Sequence, residues 1–184
     1  LNRHILANQC SSAEVFPALP SGWFAAKFCA WFIAFECAYF FIPDDFLRDV
    51  VYHRFLVNPC VAIIQWLSPH EAVTGQQNFL LAPHANLEIV RGCDGAGAMF
   101  LLAAAMLAFR ASPLHKSRGL VFGVALLAAL NYGRIVGLYF LSAYASHHFL
   151  LVHSYLAPSF IIVLSCFVFA IWARRSPRPR RAAK

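Results

Sequence analysis

Apolar and polar positions along this chain fall into blocks rather than alternating, and several of the blocks are of bilayer length. A helix needs about 20 apolar residues to cross a hydrocarbon layer roughly 30 Å thick. The first block, Trp23 to Ile42, stops at Pro43-Asp44-Asp45, and Lys27 near its start can snorkel to the surface. Phe46 to Leu67 is mixed: Arg48, Asp49, His53 and Arg54 interrupt it and Pro59 sits in its middle. Crossing, surface and re-entrant placements are all open for it. Ser68 to Arg91 is the most polar stretch between the ends, and its Thr74-Gly75 and Pro83-His84 breaks predict a loop with short strands such as Leu87 to Val90. Three apolar blocks follow: Gly95 to Phe109, Leu120 to Phe140 and Leu150 to Trp172.

The pattern predicts an all-α fold, a polytopic transmembrane helical bundle with an external loop before Cys93. It forms one integral membrane domain over residues 1–184: a polar segment 1–22, a helical membrane core 23–172 and a basic tail 173–184. The polar start lacks a basic n-region followed by an apolar h-region, so no cleavable signal is expected. Composition agrees, since 60% of residues are hydrophobic and only 12% charged, about half the charge of a soluble domain.

The net charge of +7 raises nucleic acid as a partner, but its placement argues against that. Arg174, Arg175, Arg178, Arg180, Arg181 and Lys184 directly follow an apolar block, and Arg110, Lys116 and Arg118 sit between two others. Basic flanks of this kind set topology and meet anionic headgroups, so membrane lipid is the expected partner. Both basic segments then lie on the cytoplasmic side, and two helices separate them. Cys93 and the Leu141 to Phe149 loop fall on the external side. If Phe46 to Leu67 crosses, the amino-terminal segment is external; otherwise it is cytoplasmic.

Six cysteines (Cys10, Cys29, Cys37, Cys60, Cys93 and Cys166) show no C-x-x-C pair and no metal-ligand spacing. Cys29, Cys37 and Cys166 read as small apolar residues within their blocks. Nothing in the sequence points to a metal, nucleotide, haem or other cofactor. Cys93 differs, standing in Arg91-Gly92-Cys93-Asp94-Gly95 just before an apolar helix. Free N–H groups and the positive dipole end at a helix start favour thiolate, and Asp94 can cap that helix. A tight glycine turn without chemistry is the plainer reading.

Arg134 lies inside an apolar block, where a charge costs several kcal/mol and marks a functional candidate. At 1.5 Å per residue it stands roughly 21 Å from Leu120, in the outer third of a bilayer, with Asn131 one turn earlier on the same face. A snorkelling arginine is the alternative. His153 opens the last block, with His147 and His148 close by. Topology brings Cys93, Arg134 and His153 to one level from three helices. A thiol, an imidazole and a guanidinium supply the nucleophile, proton carrier and oxyanion partner of acyl transfer.

Three segments together resemble the exosortase/archaeosortase membrane transpeptidases. They are Gly92-Cys93-Asp94-Gly95, Asn131-Tyr132-Gly133-Arg134-Ile135-Val136-Gly137 and His153-Ser154-Tyr155-Leu156-Ala157-Pro158. The likeness covers roughly Glu88 to Trp172 and is greatest to the small subtype called exosortase M. It implies a cysteine peptidase or transpeptidase of the bacterial inner membrane, its active site facing the periplasm. Such an enzyme cleaves a carboxy-terminal sorting signal (short motif, transmembrane helix, basic tail) from exported proteins and passes them to an acceptor. Cys93 would be the nucleophile, Arg134 the transition-state stabiliser and His153 the acid/base partner, with Asp94 and Asn131 as candidate substrate contacts. Many members have Cys-Ser-Gly where this chain has Cys93-Asp94-Gly95, and Gly-Trp where it has Ala157-Pro158. Two other readings compete: a DsbB-like thiol oxidoreductase, which requires a second cysteine, Cys60 or Cys10, to pair with Cys93, and a non-enzymatic subunit of envelope polysaccharide export. In the second, Arg134 would form a structural ion pair with Glu88 or Asp94.

Overall fold

The computed structural model describes residues 22–176; Cys10 and the tail beyond Ser176 lie outside the described residues. Helix α1 spans Gly22–Phe40 and α2 spans Asp44–Leu67. A single 3₁₀ turn, Pro69–Glu71, leads into strands β1 (Thr74–Gln76), β2 (Phe79–Leu81) and β3 (Asn86–Glu88). Then come α3 (Ala96–Ala108), α4 (Pro113–Tyr144) and α5 (Ser146–Arg174). The helical bundle expected from the block pattern is present. The polar stretch before Cys93 is more ordered than a loop, folding into an antiparallel sheet in the order β1-β2-β3. Asn78 closes the sheet's tight turn, its Nδ2 donating to the Ile89 carbonyl at 2.9 Å.

Helix α4 starts earlier than its apolar block because Ser112-Pro113 is a start signal. The Ser112 hydroxyl accepts from the His115 N–H, and Pro113 fills the first turn, where its missing N–H costs nothing. Helix α2 forms despite its charges and Pro59 because part of it is wound wide. Over Leu47–Val57 the hydrogen bonds run from residue i+5 to i, as in Asn58 N–H to His53 O. Its buried residues follow suit: Leu47, Tyr52 and Val57 are five apart, then Cys60 and Ile64 return to α spacing. Pro59 clashes with an ordinary α turn before it and frees a carbonyl. The Phe55 carbonyl, four residues back, accepts instead from the Tyr132 hydroxyl of α4 at 2.7 Å.

The side chains form two stacked cores. The inner core is built on Leu102, Met106, Leu127, Ile161 and Trp172, from α3, α4 and α5. The outer core gathers α2, the sheet and the far part of α4, including Ile64, Leu80, Ile135 and Tyr139. Helix α4 runs through both. At the inner end Trp172 covers Gly119, where any Cβ would collide with its indole. His115 stacks on the same indole at 4.8 Å between centroids. Phe24 at the start of α1 meets Phe169 at 6.2 Å. The beginning of α1, the beginning of α4 and the end of α5 therefore share the end that carries Arg110, Lys116 and Arg118. Cys93 lies toward the other end, between the two cores. Helices α1, α2, α4 and α5 are long and apolar enough to cross a membrane, whereas α3 has 13 residues.

Candidate active site

The segment linking β3 to α3 is a turn that only glycine permits at two points. Gly92 and Gly95 both have φ of +85°, a left-handed conformation other residues adopt at a cost. Gly95 is needed for space as well, since a Cβ there would sit 2.8 Å from the Asn131 side chain. The Cys93 N–H donates to the Val90 carbonyl at 3.0 Å, closing the turn.

The N-cap of α3 is Gly95 rather than Asp94; Asp94 stands one residue before it and accepts from the Ala96 N–H at 3.2 Å. Its carboxylate points into the protein, and the residue is 6% exposed. The other oxygen accepts from the Tyr39 hydroxyl of α1 and from Tyr52 of α2 at 3.2 Å. Asn131 of α4 is 1% exposed and donates to the Asp94 carbonyl at 2.8 Å. Both candidate substrate contacts are thus turned toward protein partners. Arg91 donates to the Tyr39 carbonyl in the last turn of α1 at 2.7 Å and to the Ile42 carbonyl just beyond that helix, and lies over the Tyr39 ring. Its Nε donates to Asp44 at 2.9 Å, and that carboxylate raises the guanidinium above its ordinary range. One turn is therefore held by α1, α2 and α4 together.

On its other side Cys93 Sγ lies 3.4 Å from His153 Nε2. Arg134 Nη1 donates to the Cys93 carbonyl at 3.4 Å. Of the three histidines considered, His153 is the one that meets the thiol; His147 and His148 are exposed in the turn that begins α5, ring against ring. His153 sits in a second wide turn, Val152–Leu156, where Ala157 N–H reaches back to Val152 O. Pro158 follows directly, as Pro59 follows the wide turn of α2, and for the same steric reason. Phe149 stacks on the imidazole at 5.2 Å.

His153 Nδ1 and Arg134 Nε are buried and have no hydrogen-bond partner among the described residues. Among the described residues no carboxylate pairs with Arg134. Glu88 accepts from Asn78 instead, at 3.2 Å. The five described cysteines are unpaired, and Cys60 is fully buried in the outer core.

Sequence reasoning passed over Tyr39, Tyr52 and Glu36. Glu36 lies on α1, half-buried, and its carboxylate faces Gly97 in the first turn of α3. A carboxylate within an apolar block is the signal that would have found it; the two tyrosines gave none.

The fold and site define a polytopic helical membrane protein with a thiol, an imidazole and a guanidinium gathered between its two cores. The sequence profile of the transmembrane exosortases matches residues 18–172, and the chain belongs to that family. Neither a curated protein nor a solved structure matches it.

Proposed function

We propose that this exosortase is a cysteine transpeptidase of the bacterial inner membrane, acting at its periplasmic side on exported proteins with a carboxy-terminal sorting signal. The observation that carries the reading is the Cys93 Sγ to His153 Nε2 approach of 3.4 Å, with Arg134 held against the same residue. His153 Nε2 takes the thiol proton as Cys93 Sγ bonds to the scissile carbonyl carbon. The electron pair displaced from that carbonyl becomes an oxyanion, which the guanidinium of Arg134 stabilises through an N–H otherwise unused. Collapse of the tetrahedral species breaks the C–N bond, and the leaving amine takes the proton back from His153. The resulting thioester is then attacked by an acceptor nucleophile, whose proton passes to His153, and the Cys93 thiol is restored.

Asp94 and Asn131 serve this chemistry by fixing the turn. The Asp94 charge is next to the nucleophile in sequence and would oppose thiolate; two phenols and an N–H draw it to the far side. Among the described residues no further side chain bonds His153, so Phe149 and the wide turn hold the ring. A scaffold role for Arg134 needs a carboxylate partner, and an oxidoreductase needs a second thiol near Cys93; the contacts described above favour neither.

The test follows a tagged protein from the same genome, bearing a helix and basic carboxy terminus, by gel mobility in cells. Cys93→Ala at matched membrane level is expected to stop processing, while Cys60→Ala leaves it unchanged. Processing that survives Cys93→Ala overturns the mechanism.

A further inference from the structure

Length and composition read α2 as a membrane crossing, yet its contacts keep both its ends on the side of Cys93. Its first turn is tied to the Cys93 turn through Asp44 and Arg91, and Arg91 also grips the end of α1. Two turns on, Tyr52 shares the Asp94 carboxylate with Tyr39. Its far half packs on the sheet: Gly75 of β1 sits against Val57 and Val61, and Gln65 donates to the Val73 carbonyl at 2.8 Å. The turn that follows α2 places Glu71 on Tyr139 and Tyr144, at the far end of α4. A helix returning across the membrane would pack along α1 toward Trp172. Every buried residue of α2 belongs instead to the outer core.

We infer that α2 lies along the outer leaflet, seated in the boundary between phospholipid headgroups and acyl chains. The chain then crosses four times, through α1, α3, α4 and α5. The side of α2 turned away from the outer core exposes Phe46, Val50, Phe55, Trp66 and Leu67, with Trp66 at 81%, and the charges Arg48, Asp49 and Arg54 are exposed among them, as suits a helix that meets both acyl chains and headgroups. It continues from Phe40 and Phe41, where α1 leaves its own lipid-facing surface. An apolar face with an aromatic anchor is the pattern of a helix in the interface plane.

The depth agrees. Helix α3 is about 20 Å long at 1.5 Å per residue, about 10 Å less than the hydrocarbon layer. An interfacial helix sinks roughly 5–10 Å into that boundary. Helix α2 therefore occupies the depth that α3 leaves unspanned, and Cys93 lies just beneath it. This inference rests on packing, exposure and helix length, and holds whatever reaction Cys93 performs.

The test uses the full chain in intact cells with a membrane-impermeant maleimide. Single cysteines replace Asp45, Gln76 or Ser117 in a background whose native cysteines are serine. Asp45→Cys and Gln76→Cys are expected to label alike, with Ser117→Cys at background until the cells are permeabilised. Labelling of positions 45 and 76 from opposite sides overturns the inference. Because that background could disturb folding, a second measurement keeps the native cysteines. The Trp66 emission, taken as wild type minus Trp66→Phe in liposomes of brominated phosphatidylcholine, is read against bromine depth. Strongest quenching by shallow bromines supports the seat; no quenching, or strongest quenching at the bilayer centre, overturns it.

Discussion

At the scale of single residues the proposed mechanism asks two things of the planar fork of Arg134: to hold the Cys93 carbonyl and to meet the oxyanion. One N–H holds the Cys93 carbonyl, and another is buried without a partner among the described residues. Lysine keeps the charge but not the fork. Arg134→Lys is therefore expected to lower kcat by about 10²–10³, the cost of an oxyanion donor, with KM and membrane abundance little changed. Single-turnover processing checks this, and loss of abundance instead would favour a scaffold arginine. Cys93, Arg134 and His153 were legible because each is anomalous where it stands: a thiol between glycines, a charge in an apolar block, an imidazole at a block's edge. Tyr39 and Tyr52 were not, since tyrosines near membrane surfaces are ordinary and their purpose depends on where Asp94 points. Tyr39→Phe removes one donor from Asp94 while keeping the ring. The expected result is slower alkylation of Cys93 by iodoacetamide at constant abundance, and an unchanged rate would remove Tyr39 from the positioning set.

At the scale of elements, two wide turns precede prolines, and one of them aims His153. The proline cannot accept an α turn before it, so the wider winding, with one more residue in each hydrogen-bonded loop, sets the direction in which the imidazole leaves α5. Pro158→Ala lifts that restriction. It is expected to raise thermal stability, because an interior proline costs a helix about 3 kcal/mol. Processing should fall roughly 100-fold, the scale of loss for a misplacement of about 1 Å. A variant that is both more stable and fully active would show that the wide turn does not aim the ring. The same winding explains why α2 was hard to read. Its buried residues recur at five, a period that neither an α-helix nor a strand template detects. The sheet was half legible: the breaks and a strand near Leu87 stood out, but three-residue strands carry too little alternation to show their partners.

At the scale of the whole molecule, the outer core must stay docked on α4 for the site to exist, because Tyr52 reaches Asp94 from α2. The far end of that docking is a buried carboxylate. Glu71 accepts from Tyr139 at 2.6 Å and from Tyr144, and these two hydroxyls, Tyr139 foremost, hold its carboxyl below the usual carboxylate range. A carboxylate depressed in the folded state stabilises it fully above the unfolded value, about 4.3 for glutamate. The contribution is lost as pH falls through the lower folded value. Wild type should therefore melt progressively earlier as pH falls below the unfolded value and on through the depressed one. Glu71→Gln removes the titration while keeping the size of the side chain. Its melting temperature should lie below wild type at neutral pH, and the gap should narrow over that same acid window. A gap that stays constant with pH would mean that the charge of Glu71 contributes nothing and that only its shape is used. Cys93 alkylation followed in parallel separates two forms of unfolding. If the outer core detaches first, the thiol's reactivity changes before the inner core melts, and Tyr139→Phe should bring that step toward neutral pH.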